Sequence, residues 1–97
     1  IALDYGGEDE LQRASLRMKE KGEMRAISSF FYITQFGIPP VDCVIRTGGE
    51  KRTSGFMPLQ SAYAEWIFVD TLLPDFDEEA FKKALIEYSS RVRRFGK

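Results

Sequence analysis

The apolar and polar positions of this chain alternate between a helical period and short strand-length runs. Ile1 to Tyr5 reads as a strand stopped by Gly6-Gly7. Leu11, Ala14, Ser15 and Met18 then return at the spacing of one helix face. Glu8, Asp9 and Glu10 sit where a helix N-terminus favours negative charge and read as a helix start. Arg17, Lys19 and Lys21 load the last turn, and Gly22 ends it. A second helix is predicted from Arg25 to Phe36, with Ile27, Phe30, Phe31 and Thr34 on its apolar face and Gly37 as its breaker. Pro39-Pro40 cannot continue it.

Val41 to Arg46 is a β-rich run and a predicted strand. The polar, Gly-rich stretch from Thr47 to Gly55 is a loop. Pro58 to Ala64 is predicted as a short helix, and Trp66 to Val69 as a second apolar strand. Asp77 is placed as an N-cap, with Glu78 and Glu79 behind it. Phe81, Ala84, Leu85, Tyr88 and Val92 then form one helical stripe packed on its own subunit. Arg91, Arg93 and Arg94 crowd its end, where they complement the helix dipole. The order β-α-α-β-loop-β-α predicts an α/β fold, a parallel sheet flanked by helices. The runs VDCVI and WIFV read as strands buried on both faces, so further strands or a partner are expected.

Composition narrows the chemistry. The 97 residues suit one small domain or part of a larger one. Fourteen basic and fifteen acidic side chains give a net charge of −1, so no nucleic-acid partner is expected. There is no histidine, which excludes a His-based triad or a His-ligated zinc. Cys43 is the single cysteine, which excludes an internal disulfide and suits a reducing compartment. No apolar run has the length of a membrane span, and no signal peptide is visible. The chain opens in an apolar stretch without Met, and a missing upstream segment is expected.

The loop from Arg46 to Ser54 carries the most chemistry. Arg46 and Arg52 straddle Gly48-Gly49 at the carboxyl end of a predicted strand, where open α/β sheets place ligands. The guanidinium forks suit phosphate oxygens, the glycines expose backbone N–H groups, and Ser54 adds a hydroxyl. The loop reads as a phosphate or diphosphate site; the alternative is a solvated basic turn. Glu65, at the border of an apolar strand, reads either as a Mg²⁺ ligand or as the partner of an arginine.

These motifs resemble one family. I-R-T-G-G-E-K-R-T-S-G-F, then Q-S-A-Y-A-E, L-L-P-D-F and a final R-R-F-G follow the order found in the C-terminal half of the cis-prenyltransferases, the undecaprenyl diphosphate synthase family. The opening A-L-D-Y-G-G is similar too. Gly48 stands where serine is common, Gly55 where asparagine is common, and Leu59 and Leu73 where tryptophans are frequent. The family's D-G-N-x-R-W segment, which serves the allylic substrate, has no counterpart here.

The resemblance implies a transferase that condenses isopentenyl diphosphate with an allylic prenyl diphosphate, with Mg²⁺, to make Z-polyprenyl diphosphates. It assigns Arg46, Arg52 and Ser54 to the diphosphate of isopentenyl diphosphate and Glu65 to the metal. Arg94 and Gly96, of the R-x-G motif, are assigned to a diphosphate across a homodimer interface. It further implies that residues 1–97 are the C-terminal part of one domain, inactive alone, with no catalytic residue of their own. A cytoplasmic protein is expected, peripheral to the membrane with which its product associates. The alternative is a non-catalytic partner subunit of such an enzyme.

Overall fold

A computed structural model describes residues 1–22 and 26–91. The chain divides into two compact units, residues 1–40 with 53–60 and residues 41–52 with 61–97.

In the first unit, helix α1 spans Gly7–Lys21, starting one residue after Gly6 and ending at Gly22, whose φ of 62° is the left-handed C-cap that glycine adopts without a Cβ clash. Its buried face centres on Ala14, which packs with Phe30 and Phe31. The start of α1 is held close to the 55–58 turn. A Cβ on Gly7 would lie 2.0 Å from the Gly55 carbonyl oxygen. Gly7 is therefore required by a close backbone approach, and not only as a strand stop.

Two expectations fail in this unit. Residues 1–5 form no strand, because Asp4 takes a φ of 52° and breaks the extended backbone. The predicted helix from Arg25 to Phe36 divides into a 3₁₀ turn at Ile27–Phe30 and helix α2 at Tyr32–Gln35, with Phe31 extended between them. Side chains satisfy the backbone groups freed by the break. Arg17 Nη1 and Gln35 Nε2 donate to the Phe30 carbonyl at 3.0 and 2.8 Å, and Glu10 accepts from Tyr32 N–H at 2.8 Å. Extending Phe31 lets both adjacent phenylalanines be buried.

In the second unit, strands β1 (Cys43–Arg46) and β2 (Glu65–Phe68) pair in parallel, with Cys43 opposite Glu65 and Arg46 opposite Phe68. Helix α3, Glu78–Ser90, packs on β2. Asp77 caps it, its Oδ1 accepting from Ala80 N–H at 2.9 Å. The α/β architecture with parallel strands is the one predicted, with two strands among the described residues instead of three. Residues 58–64 form turns and not a helix. The strands are half-buried: only Ile67 is fully enclosed, and Phe68 reaches solvent. Of the predicted α3 stripe, Ala84 is buried while Phe81 and Leu85 are exposed, and Val92 lies outside the described residues. No helix among the described residues is long and apolar enough to cross a membrane.

Candidate functional site

The loop expected to bind an anion leaves β1 at its carboxyl end. Parallel pairing continues past the strands, with Val69 N–H donating to the Arg46 carbonyl at 2.9 Å. The chain then turns through Gly48 and Gly49, with φ of 86° and 74°, a left-handed pair that side-chain-bearing residues adopt only at a cost. Their N–H groups do not await a ligand. Gly48 donates to the Thr71 carbonyl at 2.9 Å and Gly49 to the Val69 carbonyl at 3.1 Å. The expectation of exposed glycine amides is thus corrected. Buried or bent backbone donors take the nearest acceptor, and here the outgoing segment of β2 supplies two.

The arginine side chains differ. Arg46 is half-buried, and among the described residues its guanidinium has no ion pair or hydrogen bond. Arg52 is exposed and holds Glu50 at 2.6 Å, an exposed pair that contributes little to stability and releases readily. Ser54 belongs to the first unit, exposed, with a φ of 50° followed by Gly55 at 72°. Arg94 and Gly96 lie outside the described residues.

Glu65 sits at the other end of the ladder. Its register partner is Cys43, three residues before Arg46, so the two sites stand about 10 Å apart along the strand direction. Glu65 Oε2 meets Arg91 Nη1 at 3.3 Å, and Arg91 Nη2 meets Glu87 at 2.6 Å. The arginine-partner reading of Glu65 is therefore realised. Arg91, read as a dipole complement, is instead a bridge between carboxylates, and the Glu87 and Glu65 carboxylates raise its pKa still further above the ordinary arginine value. Among the described residues no group of three or more His, Cys, Asp or Glu converges. Mg²⁺ commonly takes one or two carboxylates together with substrate phosphates. Glu65, with one oxygen unpartnered among the described residues, fits as one such ligand and not as a site by itself. Burial raises the Cys43 thiol pKa, which keeps it protonated at neutral pH.

Sequence reasoning missed Glu10. It stands in the first turn of α1, as expected of a helix start, but is only 1 % exposed. Oε1 accepts from Tyr32 N–H, and Oε2 accepts from Tyr5 O–H at 2.5 Å and Gln60 Nε2 at 2.8 Å. Desolvation first, and the bond to Glu10 second, push the Tyr5 phenol up to about 12. The available signal was positional: Glu10 lies one residue before Leu11 and four before Ala14, on the buried stripe.

A sequence profile described as "Putative undecaprenyl diphosphate synthase" matches residues 1–96. The chain is 45% identical to an isoprenyl transferase of Zymomonas mobilis, covering 99% of this chain and 42% of that protein. It is 46% identical to an isoprenyl transferase of Treponema denticola, covering 99% of the chain and 43% of that protein. The crystal structure of a probable undecaprenyl diphosphate synthase from Campylobacter jejuni superposes with a TM-score of 0.86 at 35% identity, over 99% of this chain and 46% of that one. The chain spans less than half the length of the relatives it matches. With the parallel α/β frame and the motif loop in place, the chain belongs to the undecaprenyl diphosphate synthase family.

Proposed function

We propose that this chain is the C-terminal part of a cis-prenyltransferase and contributes the isopentenyl-diphosphate half of its site. The observation that carries the reading is Arg46, a half-buried cation without a counter-ion among the described residues, at the carboxyl end of a parallel strand. That is where such sheets take ligands, and a guanidinium fork matches diphosphate oxygens. Arg52 adds a second fork when it leaves Glu50, and the family motif adds the Ser54 hydroxyl.

The reaction joins C4 of isopentenyl diphosphate to C1 of the allylic partner as the allylic C–O bond breaks. The electron pair leaves with the diphosphate, and a proton is lost from C2 of the added unit. Arg46, Arg52 and Ser54 act by holding the isopentenyl group in line with the allylic carbon. Mg²⁺ supplies charge neutralisation to the diphosphates when bound, with Glu65 as its contact on this chain. The allylic half-site lies outside residues 1–97, so these residues alone are expected to form no polyprenyl product from isopentenyl and farnesyl diphosphates.

The reading is tested by Arg52→Ala in the intact enzyme. A charge-assisted hydrogen bond of about 1.5–3 kcal/mol predicts a ten- to hundredfold loss in kcat/KM for isopentenyl diphosphate and little change in the allylic KM. Unaltered isopentenyl kinetics would remove Arg52 from the site. The R-x-G segment is proposed to act on the neighbouring subunit of a homodimer. A mixed dimer of Arg94→Ala and Arg52→Ala subunits should then keep about half of parent activity, because both lesions fall in one site. Near-zero activity would place Arg94 in its own subunit's site.

A further inference from the structure

We propose that Arg91 is the positioning residue for Glu65, fixing which carboxylate oxygen is left to a divalent cation. The proposal rests on the reading of Glu65 as a Mg²⁺-associated residue. Arg91 is the C-cap of α3, with φ −87° and ψ 148°, where the chain leaves the helix. Its fork is divided. Nη2 takes Glu87 Oε1 at 2.6 Å, one turn back on the same helix, and Nη1 reaches Glu65 Oε2 at 3.3 Å on β2.

The shorter bond anchors the guanidinium plane, and the longer one aims the strand carboxylate. The Glu65 backbone is fixed independently, its N–H donating to the Asp42 carbonyl at 3.0 Å. With the backbone and Oε2 both held, Oε1 is the oxygen that remains without a partner among the described residues. Two carboxylates and one guanidinium leave the cluster one negative charge in excess, which favours a cation and not an anion at that oxygen. Lysine cannot replace the fork, because a single ammonium is a point donor and lacks the planar geometry that spans both carboxylates.

A ligating carboxylate that loses its orienting partner typically loses ten- to a hundredfold in metal affinity. The test uses the full-length enzyme loaded with isopentenyl diphosphate and no allylic substrate, so that nothing turns over. Mn²⁺ is titrated and followed by electron paramagnetic resonance for the parent, Arg91→Ala, Arg91→Lys and Glu65→Gln. The half-saturating Mn²⁺ concentration is expected to rise about ten- to a hundredfold in Arg91→Ala, with Arg91→Lys falling short of the parent. A melting temperature measured alongside separates a structural tie from a positioning role. Lowered Tm with unchanged Mn²⁺ binding in Arg91→Ala, while Glu65→Gln weakens binding, overturns the proposal and leaves the Glu65 reading standing. Unchanged binding in Glu65→Gln overturns the Glu65 reading itself.

Discussion

Two carboxylates, one in each unit, are treated in opposite ways. Glu10 is enclosed and takes three donors from three separate segments of its unit. Glu50 is exposed and takes one donor, an arginine two residues away. The first arrangement is costly to disturb, since a buried donor without its acceptor bears its whole desolvation cost uncompensated. The second is nearly neutral, since water replaces either partner. Order is concentrated around Glu10, and freedom is left at the loop, where Arg52 can leave Glu50 for another partner.

Glu10→Ala should break the contrast most severely. Three donors lose their acceptor, and a stability loss of about 3 kcal/mol or more is expected in urea denaturation of the intact protein. A loss below about 1 kcal/mol would show that water enters the site and that Glu10 is no hub. Tyr5→Phe should cost less, about 1.5 kcal/mol for one charge-assisted bond, and it carries a pH signature. Since the folded phenol ionises near 12 and the unfolded one near 10, the unfolded chain releases its proton first. The Tyr5 contribution is therefore complete below pH 10 and is lost as pH rises through about 12. Removing the phenol should flatten the alkaline decline over that window; an unchanged profile would detach Tyr5 from it.

Gly48→Ala is expected to cost about 1–2 kcal/mol, because a φ of 86° places a Cβ in the left-handed region. Nothing lies within 4 Å of that Cβ, so a larger loss would point to something beyond backbone strain. Arg52→Ala should be the smallest stability effect, within about 0.5 kcal/mol, in contrast to the loss in isopentenyl diphosphate kinetics that the proposed function predicts. A substantial thermal shift in Arg52→Ala would erase the distinction between the two units.

What could be read from the sequence was local. α1 and α3 announce themselves by their stripes, by Gly22 and by the Asp77 cap, each decided within one helical turn. Two of the three expected strands form, with ends displaced by one or two residues, and their parallel pairing followed from the order of elements; the one expected at Ile1 to Tyr5 does not form. What could not be read depends on distant partners. The break at Phe31 is stabilised by Glu10, more than twenty residues earlier, so the helical period of Ile27 to Thr34 gave no sign of it. The amides of Gly48 and Gly49 are taken by Thr71 and Val69, about twenty residues later. Arg46 does end β1, as expected, while the use of the loop's backbone was hidden. Arg91 was legible as a cation at a helix end, but its reach to β2 was not.

The hydrogen bonds of Gly48 and Gly49 carry a consequence for the timing of exchange with solvent. Both residues are exposed and lie in a polar loop, the setting in which amide deuteration is ordinarily fast. Because each amide is tied to a carbonyl of the segment beyond β2, their exchange requires that segment to part from the loop. They should form a slow pair inside a fast stretch, with Lys51 and Arg52 labelling well ahead of them. A slow turn flanked by a quick arm means that Arg52 can reorient without opening the turn, so it exchanges partners at the speed of a side chain.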